Sequence, residues 1–206
     1  MKKLTNILLF TLLISVAMSA QKTKETVLKK LDSQTEKYGS IAMQIWDLAE
    51  MGYLEEQSSS LLQETLSNEG FTIKKGVANI PTAFIAEYGS GLPIIAILGE
   101  FDALPGLSQQ AIPEKKSANG DAGHACGHHL FGTASAAAAI SVKQWMQSTK
   151  QKGTIRFYGC PAEEGGGAKV YMAREGLFDD VDIALHWHPS SQNAASAAAA
   201  LANISA

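Results

Sequence analysis

Apolar positions between residues 21 and about 70 recur at helical spacing. Val27, Leu28 and Leu31 form one stripe, Ile41, Ile45, Trp46 and Leu48 a second, and Leu54, Leu61, Leu62 and Leu66 a third, broken by polar residues 55–60. Gly70 is placed to stop the last of these helices. From Phe71 the period shortens, and runs at 71–75, 82–88 and 92–98 read as strands separated by turn residues. Gly89-Ser90-Gly91 predicts a tight connection between antiparallel neighbours. Residues 93–98 are apolar without alternation, as in a strand covered on both faces. After a polar loop at 106–120, the alanine-rich stretch 130–147 predicts a long helix able to lie close to a sheet. A strand at 154–159, a helix at 168–175 and a strand at 181–187 follow. This alternation predicts an α/β fold, a parallel-rich mixed sheet flanked by helices with right-handed crossovers.

In such sheets ligands bind beyond the strand ends. Glu100 and Asp102 follow the strand at 93–98, Glu163 and Glu164 follow the strand at 154–159, and His186-Trp187-His188-Pro189 closes the strand at 181–187. The run Gly123-His124-Ala125-Cys126-Gly127-His128-His129 lies at the entrance to the long helix. The polar groups of separate strand ends are thus expected along one edge of the sheet, and all 5 histidines fall in this half of the chain.

A length of 206 residues, 46% hydrophobic and 18% charged, leaves room for one ordinary domain with a sizeable core. The net charge of -3, without a basic block, excludes nucleic acid as the expected partner and favours small-molecule or peptide chemistry. Residues 1–20 have the pattern of a secretory leader: Lys2 and Lys3, an apolar run from Ile7 to Val16, then Ala17-Met18-Ser19-Ala20. Cleavage is expected after Ser19 or Ala20, with export to a periplasmic or extracellular compartment. An oxidising compartment would permit a Cys126–Cys160 disulfide, but their neighbours favour a metal-binding Cys126 and a free, buried Cys160.

A thiol and several imidazoles between glycines suit a soft or borderline divalent metal, and such a site needs further ligands from elsewhere. The loop Pro161-Ala162-Glu163-Glu164-Gly165-Gly166-Gly167 can supply them. Adjacent glutamates point in different directions, so one can bind metal while its neighbour takes a proton from an attacking water, the division of labour that metal-assisted hydrolysis needs. His186 and His188 can both reach the site, and spacing alone does not choose between them.

His-Ala-Cys-Gly-His at 124–128, Pro-Ala-Glu-Glu at 161–164 and Asp-Ala-Leu-Pro at 102–105 together resemble the dinuclear metallo-amidohydrolases. That family includes indole-acetyl-amino-acid hydrolases and N-acyl-amino-acid deacylases. Residues 126–132, 157–166 and 172–180 look most like its aminobenzoyl-glutamate branch, which also shares His129 where many relatives carry Asp. The resemblance implies two divalent metal ions, Zn or Mn. It implies Cys126, His128, Glu164 and His188 as metal ligands, with His186 the other candidate for the last place, and Glu163 as the catalytic base. It further implies hydrolysis of an amide joining an acyl or aryl group to an amino acid such as glutamate, as in p-aminobenzoyl-glutamate. The family architecture is a catalytic domain interrupted by a lid through which the protein forms a homodimer or heteromer. In that frame residues 1–20 are the leader, 21–202 the N-terminal part of the catalytic domain and 203–206 the start of the lid. One metal ligand would lie further on, so the 206-residue polypeptide is expected to bind metal incompletely and turn over little. The competing expectations are a non-catalytic, truncated metal-binding relative, a dipeptidase or N-acyl-amino-acid deacylase, and a disulfide-stapled extracellular domain.

Overall fold

The computed structural model describes residues 23–192 and 194; the leader at 1–20 and the lid start at 203–206 lie outside the described residues. Residues 23–32 (α1), Thr35–Leu48 (α2) and Glu56–Asn68 (α3) are helical. The strands are Thr72–Lys75 (β1), Phe84–Ser90 (β2), Ile94–Gly99 (β3), Leu104–Pro105 (β4), Ala122–Gly123 (β5), Gly153–Gly159 (β6) and Ile183–Leu185 (β7). Helices His128–Thr149 (α4) and Ala168–Arg174 (α5) connect the later strands. Among the described residues no helix is long and apolar enough to cross a membrane.

The main sheet has five strands in the order β1-β2-β6-β3-β7. β3, β6 and β7 run parallel, whereas β1–β2 and β2–β6 pair antiparallel. The expected mixed, parallel-rich sheet is therefore present. The expected pairing of β2 with β3 is not, because β6 lies between them, with Ser90 opposite Gly153 and Ile94 opposite Thr154. Gly89-Ser90-Gly91 steps across an intervening strand instead of closing a hairpin. A second difference concerns α3. Residues 55–60 do not interrupt its pattern; the helix starts within them, Leu54 stays exposed, and Glu55, Ser58 and Ser59 are buried.

Alternate strand residues feed two cores. Phe84, Ala86, Ile97, Ile155 and Phe157 pack with α2, α3 and α4, while Ile85, Ala96, Leu98 and Tyr158 pack with Met172 of α5 and with Val77 and Ile80. The sheet is thus sandwiched between helices, as its double-faced apolar strands require. Small residues let α4 approach β3. A Cβ on Gly132 would lie 2.6 Å from the Glu100 carbonyl oxygen and 3.2 Å from Leu62 Cδ1. Gly132→Ala should therefore destabilise the fold by about 1–3 kcal/mol through overpacking, measured as a lower urea midpoint. A loss below about 0.5 kcal/mol would show that α4 can back away from the strand.

The polar 106–120 loop is tied at its base, where β4 and β5 pair through Leu104–Gly123 and Pro105–Ala122. That ribbon delivers the chain to the start of α4.

Candidate metal centre

The histidine run divides at the entrance to α4. Gly127 caps the helix at φ 87, a left-handed conformation natural to glycine, and a Cβ there would meet Pro189 at 3.1 Å. His128 opens α4, two residues earlier than the apolar pattern indicated, and is fully buried beneath the sheet edge. His124 and His129 turn away toward α2. His124 Nε2 lies 3.0 Å from the Ile45 carbonyl, and the His129 ring meets Trp46 edge-on with centroids 4.9 Å apart. Burial pulls both rings down to about 4, so they are neutral parts of the core.

His128 is held through one nitrogen and faces acids with the other. Nδ1 lies 2.8 Å from Asp102 Oδ1, which fixes the ring's orientation and turns Nε2 toward the other acids. Nε2 is 3.0 Å from Glu100 Oε2 and 3.9 Å from both Glu163 Oε2 and Glu164 Oε1. Burial lowers the His128 pKa, but the Asp102, Glu100 and Glu164 carboxylates outweigh it and hold it above the ordinary histidine value. Asp102 also accepts the Glu164 backbone N–H at 2.9 Å through Oδ2, so one buried carboxylate aligns the helix start and the glutamate loop together.

Cys126 precedes α4, and the other predicted residues arrive from the ends of β6 and β7. Cys126 Sγ lies 3.3 Å from His188 Nε2, and the ligand atoms of Cys126, His128 and His188 all fall within 4.8 Å of one another. A second set with the same spacing joins Glu100, His128 and Glu163. His128 belongs to both, and since its Nδ1 is taken by Asp102, its one free nitrogen can serve a single cation lying between the two sets. Burial, then Glu164, Glu163 and Glu100, push the Cys126 thiol up to about 12, so a cation that binds it must release its proton. The glutamates differ in setting: the Glu164 side chain is 18% exposed and the Glu163 side chain 43%.

The stretch 186–188 does not present both histidines to one partner, because β7 ends at Leu185. His186 Nε2 lies 3.2 Å from Glu100 Oε1, whereas His188 faces Cys126. Trp187 donates from Nε1 to Ser135 Oγ at 3.0 Å, and its ring packs on the buried Phe131, anchoring the stretch to α4. Both cysteines are free thiols, and Cys160 is wholly buried, which removes the disulfide-stapled reading.

Glu100 and Asp102 are legible in the sequence as strand-end acids, but not as partners of His128. Glu100 is buried against Lys169, His186 and His128; burial raises its carboxyl, but these neighbours together hold it below the ordinary glutamate value. Nothing in the sequence points to Lys169 or to Glu55. The latter is fully buried and accepts the Ala162 backbone N–H at 2.7 Å.

The donor set fits divalent metal on an observation independent of resemblance. Glu100 Oε2, His128 Nε2 and Glu164 Oε1 are buried and make no hydrogen bond of good geometry, although Nε2 and Oε2 face each other at 3.0 Å. Unpartnered buried polar atoms are costly, and lone pairs converging on one space are what a cation satisfies. One thiolate, two imidazoles and carboxylates form a mixed donor set of the kind that holds a divalent metal ion.

Comparison with known proteins agrees with this chemistry. Over 178 residues the chain is 51% identical to a subunit of the p-aminobenzoyl-glutamate hydrolase of Escherichia coli, covering 85% of this chain and 37% of that protein. It is 30% identical to Xaa-Arg dipeptidase of mouse, covering 88% of this chain and 41% of the relative. The chain thus spans about two-fifths of the length of the curated relatives it matches. Among solved structures, the YXEP protein of Bacillus subtilis, a dinuclear metal-binding peptidase of the M20 family, superposes with a TM-score of 0.64 at 25% identity, over 75% of this chain and 43% of that one. The sequence pattern of peptidase family M20/M25/M40 matches residues 96–201, the span that carries Glu100, Asp102, Glu163 and Glu164 together with the thiol and the imidazoles described above. The chain belongs to peptidase family M20/M25/M40.

Proposed function

We propose that this chain supplies part of the catalytic domain of an exported, metal-dependent amidohydrolase that cleaves an aryl- or acyl-amino-acid amide, with p-aminobenzoyl-glutamate as the substrate type. Cys126, His128, Glu164 and His188 are the proposed ligands, and Glu163 the catalytic base. What supports this most is the convergence of the buried Glu100 Oε2, His128 Nε2 and Glu164 Oε1, without well-formed hydrogen bonds, beside Cys126 and His188.

Two zinc or manganese ions, when bound, would polarise the scissile carbonyl and acidify the attacking water. The chain's own residues do the rest. Glu164 stands further from solvent than Glu163 and is tethered by Asp102, which suits a ligand; Glu163 is more exposed and suits a group that takes a proton and passes it to the leaving amine. Asp102 orients His128, and Phe131 and Ser135 seat the 186–188 stretch that brings His188 over Cys126. The substrate reading is drawn from the 51%-identical hydrolase, and assembly with another polypeptide, same or different, is proposed because that relative is itself one subunit of its enzyme. Export rests on the leader-like pattern of residues 1–20.

Equilibrium dialysis with Zn²⁺ or Mn²⁺, run beside an assay for p-aminobenzoate released from p-aminobenzoyl-glutamate, tests the proposal. Metal uptake with release supports the hydrolase. Tight uptake without turnover, in a chain extended to its relatives' length, would instead support a non-catalytic binder. Absence of uptake would remove both.

A further inference from the structure

The loop that carries Glu163 and Glu164 is not self-supporting. Ala162, immediately before the pair, sits at φ 51, a left-handed conformation that costs energy for any residue with a Cβ. Its carbonyl accepts from the Gly166 N–H at 3.0 Å and the Gly167 N–H at 2.7 Å, so this residue closes the turn. A strained pivot persists only where its surroundings over-determine it.

Those surroundings come from the linker between α2 and α3. Glu55 Oε1 accepts the Ala162 N–H at 2.7 Å, and Thr82 Oγ1 donates to Glu55 Oε2 at 3.1 Å, so both carboxylate oxygens are engaged. The Tyr53 hydroxyl donates to the Gly166 carbonyl at 2.7 Å, gripping the far side of the turn. The same linker reaches the second acid loop, where the Ala103 N–H donates to the Glu50 carbonyl at 2.8 Å and Met51 bridges to Ala103. Residues 50–55 therefore span the loop bearing Asp102 and the loop bearing the glutamates.

A fully buried carboxyl is a poor choice for stability alone, since an apolar side chain of similar volume would fill the space without desolvating a charge. Burial pushes Glu55 up to about 7, the sign of that cost. What an apolar residue could not do is hold the Ala162 amide. We propose that Glu55 is a positioning residue, which fixes the Glu163–Glu164 loop at the cation-binding cluster through the Ala162 amide. The inference rests on the metal-centre reading for its consequence, but the hold on the loop is testable without metal.

The test compares the full chain with Glu55→Gln, which keeps an acceptor, and with Glu55→Met and Glu55→Ala, which do not. Hydrogen exchange in metal-free protein should show the Ala162, Gly166 and Gly167 amides losing protection by about tenfold or more in the Met and Ala variants, with α4 unchanged. Zn²⁺ affinity by calorimetry should fall by about tenfold in the same two variants, the scale on which supporting partners act, and return to within about threefold of the parent in Glu55→Gln. Leu66→Ala, a core truncation in α3, provides a destabilised control and should leave loop protection and Zn²⁺ affinity at parental values. Parental protection of the loop in Glu55→Met, or equal loss in Leu66→Ala, would overturn the proposal. A parent chain that takes up no Zn²⁺ would sink the metal reading, and exchange would still decide the role of Glu55.

Discussion

In the active protein, Glu163→Gln is expected to lower kcat on p-aminobenzoyl-glutamate by about 10²–10⁴-fold while metal content stays at the parental value. Glutamine keeps the shape and the hydrogen-bonding oxygen but cannot perform the proton transfer proposed for this carboxylate. The Glu163 side chain is 43% exposed and 3.9 Å from His128 Nε2, so its loss leaves the buried donors in place. KM should change little, because proton transfer is a transition-state contribution rather than a binding one. The mirror-image variant, Glu164→Gln, should lose metal as well as rate. Equal distances to His128 do not separate the two glutamates, and metal content measured alongside kcat does. Retained turnover in Glu163→Gln would remove the proposed base assignment.

The parts of this centre visible in the sequence are those encoded locally. Strand ends announce themselves by apolar runs breaking into acids or histidines, and those ends do meet, because parallel strands β3, β6 and β7 all finish at one edge. Cys126 and His128 are legible as a pair since glycines flank them and a helix follows. What cannot be read are the non-local choices. Gly89-Ser90-Gly91 carries a local turn signal, but whether β3 or β6 pairs with β2 depends on how far the chain travels before returning. His186 and His188 are equivalent by spacing; the end of β7 at Leu185 and the packing of Trp187 on Phe131 send them to different partners. Glu55 is hidden for a similar reason. It sits in a polar stretch that looks solvated, and its partner Ala162 lies 107 positions away.

His128→Ala and Cys126→Ala should separate metal binding from folding. Each removes a proposed ligand, and each should weaken Zn²⁺ binding by about 100-fold or more in calorimetric titration, beyond the effect of losing a supporting partner. Their effects on the metal-free fold should diverge. His128 is fully buried between Asp102 and Glu100, themselves 1% exposed, so its removal leaves two carboxylates facing a hole. Breaking a buried charged cluster from one side costs about 3–5 kcal/mol, and the urea midpoint should fall accordingly. Cys126 is only partly buried and its thiol is held protonated, so truncating it should change metal-free stability by less than about 1 kcal/mol. If the cluster existed for folding rather than for a cation, the order would reverse for metal: Cys126→Ala would bind Zn²⁺ as the parent does. A thiol that contributes nothing to stability yet decides uptake is best explained as a ligand.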